Sequence, residues 1–169
     1  KEKPETKVTF FGGVYDNPKR GNLKWWDSNP TTTGSSFYHA QKAGHFDLIA
    51  SGNVFNDEGY RDGENELRAR FNINVKYNFQ KIKGLSIGMN SNAMQTSGGL
   101  FILWADADSG GYRPQTGTLS KYVTTRSNYD PFVTYFTKKG DKHTLRTRYF
   151  NTTNKNNTNQ ESTAELYFS

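Results

Sequence analysis

The stretch ELRARFNINVKYNF, Glu66–Phe79, alternates without a break: Leu67, Ala69, Phe71, Ile73, Val75, Tyr77 and Phe79 are apolar or aromatic, and Arg68, Arg70, Asn72, Asn74, Lys76 and Asn78 are polar. A period of two places the two sets on opposite faces of a β-strand. Strands in globular domains usually run about 5–6 residues. An alternation this long therefore predicts a tall sheet with two unlike faces.

The same texture recurs along the chain. Phe46, Leu48, Ala50 and Val54 alternate with Asp47, Ser51 and Asn53, with Ile49 as the exception; Leu85, Ile87 and Met89 alternate with Ser86, Gly88 and Asn90; Ala164, Leu166 and Phe168 form a further apolar row. Eight strands are expected, over Thr6–Tyr15, Ser35–Lys42, Phe46–Phe55, Glu66–Phe79, Leu85–Gln95, Val123–Thr137, His143–Thr152 and Ser162–Phe168. No segment has convincing helical periodicity.

The connections alternate in length. Asp16–Gly34, Asn56–Asn65, Thr96–Tyr122 and Thr153–Glu161 are medium to very long, and AGH (Ala43–His45), QKIKG (Gln80–Gly84) and KKGDK (Lys138–Lys142) are tight. Tight hairpins at every second connection predict an antiparallel up-and-down meander, with all tight turns at one end and all long loops at the other. Outer-membrane barrels have this polarity.

Composition agrees with a sheet that lacks an ordinary core. Of 169 residues, 33% are hydrophobic and 16 are glycine, short of the apolar share of an average domain, yet 15% are aromatic. The net charge of +6 admits an anionic partner, but no dense run of Lys or Arg occurs, which argues against nucleic acid. Without cysteine the chain has no disulfide, thiol chemistry or cysteine-bound zinc. The apolar run GGLFILWA, Gly98–Ala105, is too short to cross a bilayer as a helix. A membrane strand needs only about 9–11 alternating residues. Two readings of the apolar rows follow: a soluble sheet buries them under protein, and a membrane barrel turns them to lipid and leaves the polar rows to line a water-filled lumen.

The runs KPETKVTFFGGVYDNP, HFDLIASGNVFNDEGYRDGENELRARFNINVKYNF and NYDPFVTYFTKKGDKHTLRTRYFNTTNKNNTNQES resemble the barrel of TonB-dependent outer-membrane receptors, in the part that begins just after the plug. The resemblance implies an all-β, antiparallel meander of about eight long strands forming one segment, residues 1–169, of a larger transmembrane β-barrel in the bacterial outer membrane. The closing residues ELYFS read as the middle of a strand, consistent with a fragment. The implied function is energised uptake of a nutrient such as an iron chelate, a corrinoid or a glycan. The implied partners are outer-membrane lipid, a plug domain, the remaining barrel strands and, indirectly, the TonB system.

Chemistry-bearing patterns are few. His39, His45 and His143 lack metal-ligand spacing, and no nucleophile or phosphate-loop motif is present, so no enzymatic activity is expected. Loops on a rigid scaffold are the usual place for binding, which singles out Trp25, Trp26, Trp104 and Tyr112 as solute contacts. Arg68, Arg70, Arg146 and Arg148 are expected to face the lumen. Asp57, Glu58, Asp62 and Glu64 in DEGYRDGE, with Asp106 and Asp108 in DADSGG, offer carboxylates for calcium only if neighbouring loops pool them. Two alternatives carry structural expectations. A complete eight-stranded barrel with a structural or adhesive role pairs the first strand with the last, and a soluble binding module for nucleic acid or carbohydrate buries Leu67, Phe71, Ile73 and Val75 against protein.

Overall fold

The computed structural model describes residues 3–169, so Lys1 and Glu2 lie outside the described residues. Eight strands form one antiparallel sheet in chain order: β1 Glu5–Val14, β2 Thr31–Ala43, β3 Phe46–Asp57, β4 Glu66–Asn78, β5 Leu85–Leu100, β6 Ser120–Phe136, β7 Lys142–Asn156 and β8 Gln160–Phe168. The only helical element among the described residues is a single 3-10 turn at Gly21–Leu23. Among the described residues no helix is long and apolar enough to cross a membrane.

Each strand pairs only with its sequence neighbours, which leaves β1 and β8 as the two edges. Among the described residues the pairing of first and last strands required by a closed eight-stranded barrel is absent. The gap between Ala43 and Phe46, the turn at 79–84 and the turn at 137–141 lie at one end of the sheet. These turns contain Gly44, Gly84 and Gly140 at φ of 59°, 89° and 94°, where a side chain would be strained.

Register carries the alternation of β4 across the whole sheet, because directly opposed residues share a face. Phe71 of β4 lies opposite Gly52 of β3 and Ala93 of β5, and Gly52 lies opposite Phe37 of β2, which faces Val8 of β1. Extended to β8, the same parity gives an apolar face that includes Phe10, Phe37, Leu67, Phe71, Ile87, Val133, Leu145, Leu166 and Phe168. No second layer covers it: Phe10 is 79% exposed, Leu67 48% and Phe71 46%, while Ile73 and Val75 are half-buried by their sheet neighbours. Among the described residues no further layer of protein lies over Leu67, Phe71, Ile73 and Val75.

Glycines let aromatic rings lie flat across the sheet. Phe11 and Phe55 flank Gly34 on the polar face with ring centroids 6.2 Å apart, and Phe37 and Phe71 flank Gly52 on the apolar face at the same distance. Phe132 covers Gly88 in the same manner; a Cβ there would sit 2.4 Å from the ring and 2.5 Å from the Val75 carbonyl oxygen. The ring can move but the backbone oxygen is fixed by the ladder. Gly88→Ala is expected to cost about 1–3 kcal/mol, whereas Gly21→Ala, whose Cβ meets nothing within 4 Å, should stay within about 0.5 kcal/mol. Denaturant titration of the two variants measures the contrast.

Several strands outrun their sequence boundaries. β2 begins at Thr31, since Thr31–Thr33 pair with Gly12–Val14; β5 continues to Leu100; β7 continues to Asn156 by pairing with Tyr122–Thr125. The expected medium connection at 153–161 shrinks to residues 157–159.

Candidate functional site

The long connections 15–30, 58–65 and 101–119 rise from the same end of the sheet and interlock into one cap. Three of the four buried apolar side chains among the described residues, Leu23, Trp26 and Phe101, belong to these connections; the fourth is Ala40 of β2. The folded core of this chain is thus in its loops.

An aromatic chain runs through the cap. Trp26 is 6% exposed and packs edge-on against Trp25 at 5.5 Å and Tyr60 at 5.4 Å, while Tyr60 meets Tyr112 at 4.9 Å and Tyr15 at 5.7 Å. Trp25 Nε1 donates to the Tyr60 carbonyl at 3.0 Å, and the Asp62 amide donates to the Tyr112 carbonyl at 2.8 Å. Arg61 stacks 4.7 Å over the Phe101 ring and pairs with Glu64 at 2.5 Å; Glu64 Oε1 also accepts from the Phe101 amide. Close backbone approach completes the joint. The Asn65 carbonyl accepts from the Gly99 amide at 3.0 Å, at a place where a Cβ on Gly98 or Gly99 would fall within 2.2 Å of a loop carbonyl oxygen.

The structure brings Trp25, Trp26 and Tyr112 together around Tyr60 but leaves Trp104 apart. Trp26 is buried in the cap, and its Nε1 has no partner among the described residues. Trp104 is 55% exposed in a small hairpin closed by Ala105 to Arg113 and Gln115 to Leu103 hydrogen bonds. Beside it Ile102 and Leu103 are also exposed, so Phe101 alone of FILW enters the cap core. Tyr60, whose ring meets Trp26, Tyr112 and Tyr15, was not singled out by the sequence; its place inside the charged string DEGYRDGE gives it no periodic signal.

The carboxylates are dispersed, and Asp57, Asp106 and Asp108 are engaged in hydrogen bonds. Asp57 accepts from the Tyr15 hydroxyl at 2.9 and 3.0 Å and from the Gly59 amide at 2.8 Å. Asp106 accepts from the amides of Asp108 and Gly110, and these backbone donors hold its carboxyl below the usual range. Asn22 donates to Asp108 at 2.5 Å, tying two loops together. Among the described residues no three His, Cys, Asp or Glu side chains are placed to hold a metal ion. Asp62 contributes its backbone amide to the cap, as noted above.

Two phenols of the cap hold their protons more tightly than a free tyrosine. Burial, followed by the hydrogen bond to Asp57 and its charge, raises the Tyr15 hydroxyl above its ordinary value; burial and a hydrogen bond with Tyr112 do the same for Tyr60. A folded-state pKa above the unfolded one means the native cap holds the proton more tightly, so its contribution is complete below about pH 10 and fades as pH rises through the raised value. Amide exchange in residues 15–30 and 58–65 is expected to accelerate above about pH 10 relative to the strands, less steeply in Tyr15→Phe.

Below the cap, the polar face carries a hydrogen-bonded strip of short side chains. Asn72 donates to Ser51 at 3.3 Å, Asn92 to Asn72, Asn74 to Asn90, and Asn128 to Asp130 at 3.1 Å. Arg148 closes the strip with a two-pronged pair to Asp130 at 2.7 and 2.8 Å. That pair sits where the β6–β7 ladder lapses at Asp130 and Pro131, since proline has no amide to donate. All four arginines noted in the sequence share this face. Arg68 lies 5.2 Å over Phe55 and 3.3 Å from Glu66, Arg70 reaches Met94 at 3.1 Å, and the Arg146 guanidinium has no partner among the described residues. Arg146 and Arg148 line a concavity of about 610 Å³ with Phe132, Phe150 and Tyr167. Such a surface can hold water, hydroxyl-rich solutes or an anion. Comparison of the chain with protein-family models, with curated proteins and with solved structures found no match.

Proposed function

We propose that this chain is a stretch of the wall of a TonB-dependent outer-membrane transporter. The apolar face meets lipid, the polar face lines the lumen, and the loop cap stands at the outer end above tight periplasmic turns. The observation that carries the reading is the uncovered apolar face of eight strands, nine to seventeen residues long. Water-soluble monomers rarely leave contiguous apolar patches beyond a few hundred Å². Thirteen residues at about 3.4 Å each reach roughly 44 Å, enough to cross a hydrocarbon layer of about 30 Å at a tilt near 45°.

A bilayer cannot satisfy open strand edges, so β1 and β8 pair with the remaining strands of the barrel. The amide strip and the four arginines then face the plug and the passing solute, an iron chelate, a corrinoid or a glycan. The chain binds and encloses; it carries out no bond-making chemistry. Expression and purification without detergent tests this directly. Aggregation in plain buffer with recovery of sheet structure in micelles is expected, and a folded, monodisperse chain in plain buffer overturns the reading.

A further inference from the structure

The two ends of the sheet differ in charge as well as in the length of their connections. The tight turns at 79–84 and 137–141 expose Lys81, Lys83, Lys138 and Lys139, and none of these amines has an ion pair among the described residues. The one acid in these turns, Asp141, is held by Thr137. The loops of the opposite end mix both signs, with Asp16, Asp27, Glu58, Asp62, Glu64, Asp106 and Asp108 slightly outnumbering Lys19, Arg20, Lys24, Arg61 and Arg113. Immediately inside the turns stands an aromatic collar. Phe46 and Tyr77 lie on the apolar face with rings 4.9 Å apart, Phe79 follows at 5.0 Å from Tyr77, and Tyr135 shares that face at the same end. Ile82, half exposed, sits between Lys81 and Lys83.

We propose that the tight-turn end binds anionic phospholipid headgroups of the adjacent leaflet, with Lys81, Lys83, Lys138 and Lys139 as the cationic contacts. The inference rests on the membrane-wall reading above. Like charges without counter-charges repel, and an anionic surface relieves them. Aromatic rings occupy headgroup depth, and lysine stems extend along apolar surface to place their amines among phosphates. Attraction of basic residues to acidic lipid adds over the residues that reach it. An acidic protein would satisfy the amines but would give the collar and Ile82 no reason to lie beside them. Lipid satisfies both at one depth.

The test measures association of the folded, detergent-diluted chain with phosphatidylcholine vesicles, with and without phosphatidylglycerol, at low and high salt. Wild type is expected to bind both and to prefer the anionic vesicles by roughly 100-fold at low salt, a preference that salt erodes. K81Q/K83Q/K138Q/K139Q should bind the two vesicles alike, and K19Q/R20Q/K24Q at the loop end should keep the wild-type preference. A preference that survives the four turn substitutions, or that the loop-end set removes equally, overturns the proposal. So does displacement from anionic vesicles by soluble polyglutamate at matched charge, which marks an acidic protein as the partner. Failure of every variant to bind neutral vesicles is a separate result that counts against the membrane wall itself, because neutral binding depends on the apolar face and not on these lysines.

Discussion

Phe71→Lys is expected, on the proposed membrane reading, to destabilise the fold in a bilayer by about 2–4 kcal/mol, the cost of a lysine on the lipid side near mid-height of a barrel. Phe71 is near the middle of β4, opposite Gly52 and Ala93, with its ring on the apolar face beside Phe37. The next residue reverses the outcome. Asn72 is on the polar face among Ser51 and Asn92, so Asn72→Lys loses only side-chain hydrogen bonds, about 1 kcal/mol. Reversible denaturant unfolding from vesicles measures both. Equal small effects would mean that water, not lipid, bathes Phe71, since it is 46% exposed in this chain.

Trp26→Ala is the second large expectation, about 3–5 kcal/mol for removing a buried indole. The loss should be local, because the rings Trp26 packs on, Trp25 and Tyr60, both belong to the cap. Protease cleavage and amide exchange in residues 15–30, 58–65 and 101–119 should rise together while the strands keep their protection. Trp26→Phe should cost less than ring size suggests, because it removes an indole N–H that has no partner. Trp104→Ala, at an exposed ring, should leave stability within about 0.5 kcal/mol. If Trp104 contacts solute, that variant loses binding without loosening the cap.

The sheet was legible wherever side chains obey period two. Leu67 to Tyr77 set the faces, and the short turns after Ala43, Asn78 and Phe136 set the order, because both signals are local. Strand ends were less legible, for identifiable reasons. Gly98 and Gly99 look like the start of a loop, yet they continue β5 because their missing side chains admit the Asn65 and Gly63 carbonyls. Thr153–Asn156 look like a polar loop, yet they pair with β6. Ile49, which breaks the alternation of β3, borders a shallow depression beside Asn72 and Asn74 on the polar face. In the cap, Trp26 and Trp104 are alike in sequence as aromatics in loops. Their opposite burial depends on Tyr60 and Arg61 arriving from a different loop, a meeting that no single segment encodes.

A chain in which every strand touches only its sequence neighbours has a mechanical consequence. Tension applied at one end loads the last pair of strands alone, since β8 holds only β7 and β7 passes the load on only to β6. The sheet should therefore peel hairpin by hairpin from its edge, in a series of separate yields. The cap interrupts that order, because the contacts among residues 15–30, 58–65 and 101–119 rivet strands β1 to β6 across their outer ends. Pulled from β8, the sheet should give way easily through β7 and then meet a far stiffer body.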